Sequence, residues 1–122
     1  MGYIIRRDKK GKAILATRIR LVVGIPTINR KDLLIETLND LSHCMPDLDY
    51  LVIVDNGNQG IQIPEAFSNK SILRVNEVNA GVSGSWNYLA RRGFERHEAT
   101  HVLLIEDDVV FDENFVDKFN FN

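Results

Sequence analysis

Four short apolar runs constrain this chain more than any other feature. They are Leu21–Ile25, Leu51–Val54, Val102–Ile105 and a weaker one, Ile72–Val75. The strong runs do not alternate with polar residues, so both faces of each segment need cover. That is the pattern of strands buried between two helical layers, as in a parallel sheet. The segments between them read as helices. Lys31–Ser42 puts Leu34, Leu38 and Leu41 on one face, with Asn29 or Asp32 available to cap its start. Ser83–Arg96 puts Trp86, Leu89, Ala90 and Gly93 on one face, with Ser83 or Ser85 near the cap. Asp112–Phe119 reads as a short last helix, and Pro64 argues against a long helix within Ile61–Ser71. The order predicts an α/β fold: a Rossmann-like, mostly parallel sheet flanked by helices, with right-handed crossovers.

The remaining features narrow the setting. A length of 122 residues suits one compact domain. We divide it into an N-terminal arm or strand pair over 1–20 (Tyr3–Arg6 with Ala13–Ala16) and an α/β domain over 21–122. Seven of the 15 basic residues lie between Arg6 and Arg20, which equips this start to meet phosphates or an anionic membrane surface, or simply to form a solvated hairpin. The formal net charge of -2 argues against nucleic acid as a partner of the whole molecule. Cys44 stands alone, so no internal disulfide forms, and a cytoplasmic location is expected. No signal peptide is visible, and no run approaches the ~20 apolar residues that span a bilayer. His97 and His101 lack metal-ligand spacing and read as structural or surface residues.

A polar cluster follows every apolar run. Open α/β sheets bind ligands beyond the carboxyl ends of their strands, so these clusters are the functional signal. Thr27, Asn29 and Arg30 follow the first strand and offer a hydroxyl, an amide and a guanidinium suited to phosphate. Asp55 and Asn56 follow the second. The Asp55 carboxylate can accept an N–H from uracil or guanine, or it can close an Asp-Asn-Gly turn. Asn79 and Gly81 lead into Gly84 and a helix N-terminus, a setting that admits anions. Glu106, Asp107 and Asp108 follow the last strand. Three adjacent acids repel one another unless a cation offsets them, and Mg²⁺ or Mn²⁺ does so through oxygen ligands. On an extended chain Glu106 and Asp108 would point together and Asp107 away.

Four blocks carry a resemblance: Gly24-Ile-Pro-Thr-Ile-Asn-Arg30, Val52-Ile-Val-Asp-Asn-Gly57, Asn79-Ala-Gly-Val-Ser-Gly84 with Asn87, and Leu103-Leu-Ile-Glu-Asp-Asp108. Their order and spacing resemble the N-terminal, nucleotide-sugar-binding half of GT-A glycosyltransferases typified by family-2 enzymes. The resemblance covers about Leu21 to Phe119. It implies an inverting, metal-dependent transferase that takes a nucleotide-diphosphate sugar and an acceptor not identified by the sequence. Pro26, Thr27, Asn29 and Arg30 would line the nucleotide site, and Asp55 with Asn56 would meet the base. Asn79, Gly81, Gly84 and Asn87 would lie near ribose, diphosphate and sugar. Glu106-Asp107-Asp108 looks like the DxD motif, which would bind the donor's ribose and a divalent metal, with Glu106 and Asp107 on the donor and Asp108 as metal ligand for Mn²⁺ or Mg²⁺. Glu106 shares that role although it stands where the family usually has Asp. The family's general base comes from its C-terminal half. Asn122 lies only fourteen residues after Asp108, so that base and the acceptor-binding half are expected to be missing, and the isolated chain to be inactive or weakly active. An uncovered sheet edge beside the last strand would then favour homo-oligomers. The alternative reading is a non-catalytic, receiver-like signalling or interaction module. A receiver, however, carries its acidic pair after the first strand, not the last.

Overall fold

The computed structural model describes residues 2–6, 20–76 and 81–108, with residues 2–6, 82 and 83 described by backbone alone. Five strands, β1 (Gly2–Arg6), β2 (Leu21–Thr27), β3 (Tyr50–Asp55), β4 (Ser71–Val75) and β5 (His101–Ile105), form one sheet in the order β1-β5-β2-β3-β4. Strands β2 to β5 are mutually parallel, and β1 runs antiparallel to β5. Helix α1 (Lys31–Cys44) links β2 to β3, and α2 (Gly81–Arg96) lies between β4 and β5. A 3-10 turn, Glu65–Phe67, follows Pro64. The chain is thus an α/β protein of Rossmann-like arrangement.

The unbroken apolar runs are explained by two cores, one on each face of the sheet. Leu21, Val23, Ile25, Leu51, Ile53, Leu103 and Ile105 meet Leu34, Leu38 and Leu41 of α1. Their neighbours Val22, Val52, Val54, Val102 and Leu104 meet Leu89 of α2. Successive strand residues point to opposite faces, so a strand covered on both sides is apolar at every position. Two glycines let α2 approach closely. A Cβ at Gly93 would lie 2.6 Å from Val102 Cγ2, and one at Gly24 would lie 3.1 Å from both Leu89 Cβ and Leu104 Cδ2. The lone thiol, Cys44, packs partly buried against the α1-side core.

Several expectations change. Gly2–Arg6 is a strand and pairs with β5, with Gly2 opposite Ile105 and Arg6 opposite His101, a pairing the sequence did not suggest. Among the described strands β5 is therefore interior, and β1 and β4 are outermost. Helix α1 is capped by neither Asn29 nor Asp32: Arg30 holds the N-cap position without a side-chain bond. Helix α2 begins at Gly81, so Ser83 and Ser85 lie within its first turns. The expected strand Ala13–Ala16 and helix Asp112–Phe119 lie outside the described residues. Among the described residues, no helix is long and apolar enough to cross a membrane.

The topology also fixes where a cleft must open. From β2 the chain moves to β3 and then β4, and the next strand, β5, lies on the far side of β2. Helix α1, which follows β2, covers one face of the sheet, and α2, which precedes β5, covers the other, so a crevice forms beyond the carboxyl ends of β2 and β5. The loops at that point are 27–30 and 106–108.

Candidate functional site

A cleft of about 260 Å³ lies at this switch point. Pro26, Thr27, Ile28 and Arg30 line it from β2, Asn56 from β3, Gly81, Ser85 and Trp86 from α2, and Glu106 and Asp107 from β5. Its volume falls just under the ~300 Å³ lower bound of typical small-molecule sites. It has room for one part of a large ligand.

Polar side chains join the strand ends below the cleft. Thr27 Oγ1 donates to Asp107 Oδ2 at 2.9 Å and accepts a long bond from Gln59 Nε2 at 3.4 Å. Gln59 Nε2 also donates to Asp55 Oδ1 at 2.9 Å. On the other side, Asn56 Nδ2 donates to Ser85 Oγ at 3.0 Å, and Asn76 Nδ2 donates to Asn56 Oδ1 at 2.9 Å. Buried polar groups need such partners, and together these bonds fix the rim.

Asp107 is the buried member of the acidic triplet. Its backbone carbonyl accepts from Thr37 Oγ1 of α1 at 2.9 Å, which ties the end of β5 to α1. Burial pushes its carboxyl up. The Thr27 bond and the Arg30 charge pull it back, Asp108 pushes it up again, and it stays above the usual carboxylate range. Arg30 Nη1 lies 3.4 Å from Asp107 Oδ1 and 3.4 Å from Asp108 Oδ2. The expected alternation of Glu106 and Asp108 against Asp107 does not hold. The strand ends at Ile105, the chain turns at 107–108, and Asp107 shares Arg30 with Asp108, while Glu106 lines the cleft.

Asp55 is fully buried and shows no surface to the cleft. Its Oδ1 accepts from the Gly57 amide at 2.9 Å, and its Oδ2 accepts from the Gln59 amide at 2.7 Å. Burial would raise its carboxyl. Bonds from the Gln59 side chain and from the amides of Gly57, Gln59 and Asn58 outweigh that and hold it below the usual range. The geometry is that of the turn, and a base could reach this carboxylate only if residues 55–59 opened. Asn29 sits in left-handed backbone (φ 53) and lines a separate shallow depression with Arg30, Lys31, Asp32, Leu33 and Gln59.

Of the residues singled out in the sequence, Pro26, Thr27, Arg30, Asn56, Gly81, Glu106 and Asp107 meet in the cleft. Asp108 is exposed at its edge on Arg30. Gly84 and Asn87 are exposed on α2 away from the lining. Asn79 lies outside the described residues. Sequence reasoning missed Ser85 and Trp86 as cleft residues: Ser85 was read as a cap, and Trp86 as core, which it also meets, packing partly buried against the α2-side cluster. Thr37 was missed too, although a buried polar residue between Leu34 and Leu38 was its signal. His101 begins β5 at the opposite edge of the sheet, and His97 stacks on Tyr50 with centroids 3.9 Å apart.

The donor chemistry of the corner fits a hard divalent cation. Magnesium and manganese sites commonly use one or two carboxylates and take the rest from substrate phosphates and water. Asp108 supplies an exposed carboxylate beside the cleft, and Glu106 stands two residues away. Among the described residues, no three His, Cys, Asp or Glu side chains converge into a closed metal site. An open, phosphate-completed site is therefore the form this corner suits.

No family model matches the sequence, and no curated protein matches it. Among solved structures the fold is similar to that of the mannosyltransferase PcManGT from Pyrobaculum calidifontis in complex with GDP-Man and Mn²⁺. The TM-score is 0.59 at 20% sequence identity, over 90% of this chain and 32% of that one. The likeness shows a glycosyltransferase-like fold, and this chain spans about a third of that protein's length.

Proposed function

We propose that this chain binds the nucleotide-diphosphate sugar donor of an inverting, metal-dependent glycosyltransferase of the GT-A, family-2-like type. One observation carries the reading: Thr27, Arg30, Asn56, Ser85 and the acidic triplet gather at the switch-point cleft of a fold shared with a sugar transferase. In this reading Arg30 pairs with the diphosphate, as a guanidinium suits phosphate oxygens. Trp86 offers a flat apolar face to the base or sugar ring. Asn56 orients a polar edge of the donor, and Gly81 leaves room for backbone approach at the helix start. Gly84 and Asn87 keep a role only for a part of the donor that extends along α2, and Asn79 is assigned to the same loop.

Asp108, with Glu106, would hold Mn²⁺ or Mg²⁺. When bound, that cation supplies electrostatic stabilisation to the departing diphosphate. Asp107, buried and tied to Thr27 and Thr37, fixes the backbone that presents both acids. Inversion also needs a carboxylate general base at the acceptor, and this reading gives that role to none of the described residues. Donor binding, rather than transfer, is the activity this reading assigns to the described residues. The cytoplasmic location and the division at residue 20 belong to the same proposal.

Calorimetric titration with UDP- and GDP-sugars, with and without Mn²⁺, tests it. Binding that requires Mn²⁺ is expected for at least one donor. Metal-independent binding, or no binding to any of them, would remove the basis of the reading.

A further inference from the structure

We propose that Arg30 is an internal counter-ion, holding the acidic corner closed until a divalent cation displaces it. The inference rests on the donor-site reading above and adds how that site is switched.

The geometry has three parts. First, one guanidinium nitrogen, Nη1, lies 3.4 Å from carboxylate oxygens of both Asp107 and Asp108. A single positive charge thus stands between two adjacent negative ones and occupies Asp108, the carboxylate that the donor-site reading gives to the cation. Second, the three partners differ in freedom. The Asp107 side chain is 8% exposed and pinned by Thr27, whereas those of Arg30 and Asp108 are 51% and 42% exposed. Solvent screens such half-exposed pairs, so they are readily exchanged. Third, Arg30 has a fixed base and a second place to go. Its carbonyl accepts the Leu34 amide at 2.9 Å, which anchors its backbone to α1. Its side chain borders both the cleft and the neighbouring depression lined by Asn29, Asp32 and Gln59. The guanidinium can leave the acids without moving the helix.

Two consequences follow. A divalent cation alone must compete with Arg30, so it binds weakly. A nucleoside diphosphate offers the released guanidinium new oxygens, so cation and diphosphate each strengthen the other's binding. That coupling is reciprocal by thermodynamic necessity.

The test measures Mn²⁺ alone, then GDP and UDP with and without Mn²⁺, on the whole chain and on Arg30→Gln, Arg30→Lys and Lys31→Gln. Lys31→Gln removes the same charge from the adjacent position, away from the acids, and controls for the general field. Arg30→Gln is expected to bind Mn²⁺ alone about five-fold or more tightly, Arg30→Lys less than that, and Lys31→Gln within about two-fold of the unmutated chain. The mutual enhancement of Mn²⁺ and nucleoside diphosphate shrinks in Arg30→Gln. Equal or weaker Mn²⁺ binding by Arg30→Gln overturns the proposal, as does undetectable binding in every protein or an equal gain in Lys31→Gln. In the unmutated chain, the Arg30 Nε–H resonance is expected to shift along the Mg²⁺ saturation curve. A resonance that stays still while Mg²⁺ binds overturns it as well. Failure of the donor reading is a separate result: no nucleotide binds under any condition, while the Mn²⁺ arm still decides the role of Arg30.

Discussion

The two strands that flank β2 each deliver an aspartate to the same end of the sheet, and the two are used in opposite ways. After β3, Asp55 is wholly enclosed, and amides of its own turn hold its carboxyl low. After β5, Asp107 is enclosed but held high, balanced by a half-exposed arginine it shares with Asp108. Both look alike in the sequence, as an acid just past an apolar run: Asp55 follows Val54 directly, and Asp107 lies two residues beyond Ile105. A carboxylate satisfied by its own backbone builds the rim. A carboxylate pair balanced by a displaceable side chain is left with chemistry to do.

Substitution should separate the two sharply, and the largest effect falls on the rim. Asp55→Ala leaves the Gly57 and Gln59 amides without their acceptor, and bonds to charged groups contribute ~1.5–3 kcal/mol each. A loss of about 3 kcal/mol in urea unfolding is expected, and a loss under 1 kcal/mol would break the comparison. Asp108→Asn should do the reverse. Stability stays within about 0.5 kcal/mol, as for an exposed position, while Mn²⁺-dependent donor binding falls at least about ten-fold, the ~1.4 kcal/mol of one weakened ligand. Thr27→Val lies between, because it removes the hydroxyl that holds Asp107. About 1 kcal/mol of stability should go, and donor binding should weaken with it.

The smallest effect is one of pH, followed by unfolding in the presence of chelator. The Asp55 carboxyl is lower folded than unfolded, so the unfolded chain takes up the proton first. The stability deficit of Asp55→Asn should then hold from neutral pH down to the ordinary carboxylate value and shrink below it. The Asp107 carboxyl is raised, so the folded chain takes up that proton first. Unmutated stability gains from this group as pH falls from neutral through the raised value, and Asp107→Asn loses ground over that same window. Shifts in the same direction at both sites would show that the two acids are not distinguished as described.

How much of this was legible in the sequence follows from where the information is local. The strand positions were readable because burial on both faces leaves no polar residue in Leu21–Ile25 or Val102–Ile105. The gathering of polar groups at one edge followed from the parallel order alone. The pairing of β1 with β5 was not readable, since it joins residues about a hundred positions apart and leaves no mark in Gly2–Arg6. The two roles of Asp55 could not be divided either. Asp-Asn-Gly is compatible with a base contact and with a turn, and only the buried geometry with Gln59 favours the second. Glu106 and Asp108 were misplaced because alternation was carried past the end of the strand. Trp86 packs on the core as its helical face implies, but a helical face does not reveal where its sheet ends, so its place in the cleft was not readable.

Paramagnetic broadening by Mn²⁺ in the presence of a nucleoside diphosphate tests the central claim most directly. Amide signals of Glu106, Asp107 and Asp108 should fade first, at the lowest Mn²⁺, followed by those of Thr27 and Arg30. Broadening that begins elsewhere, for instance around His43 or His97, would place the cation away from the cleft and contradict the account.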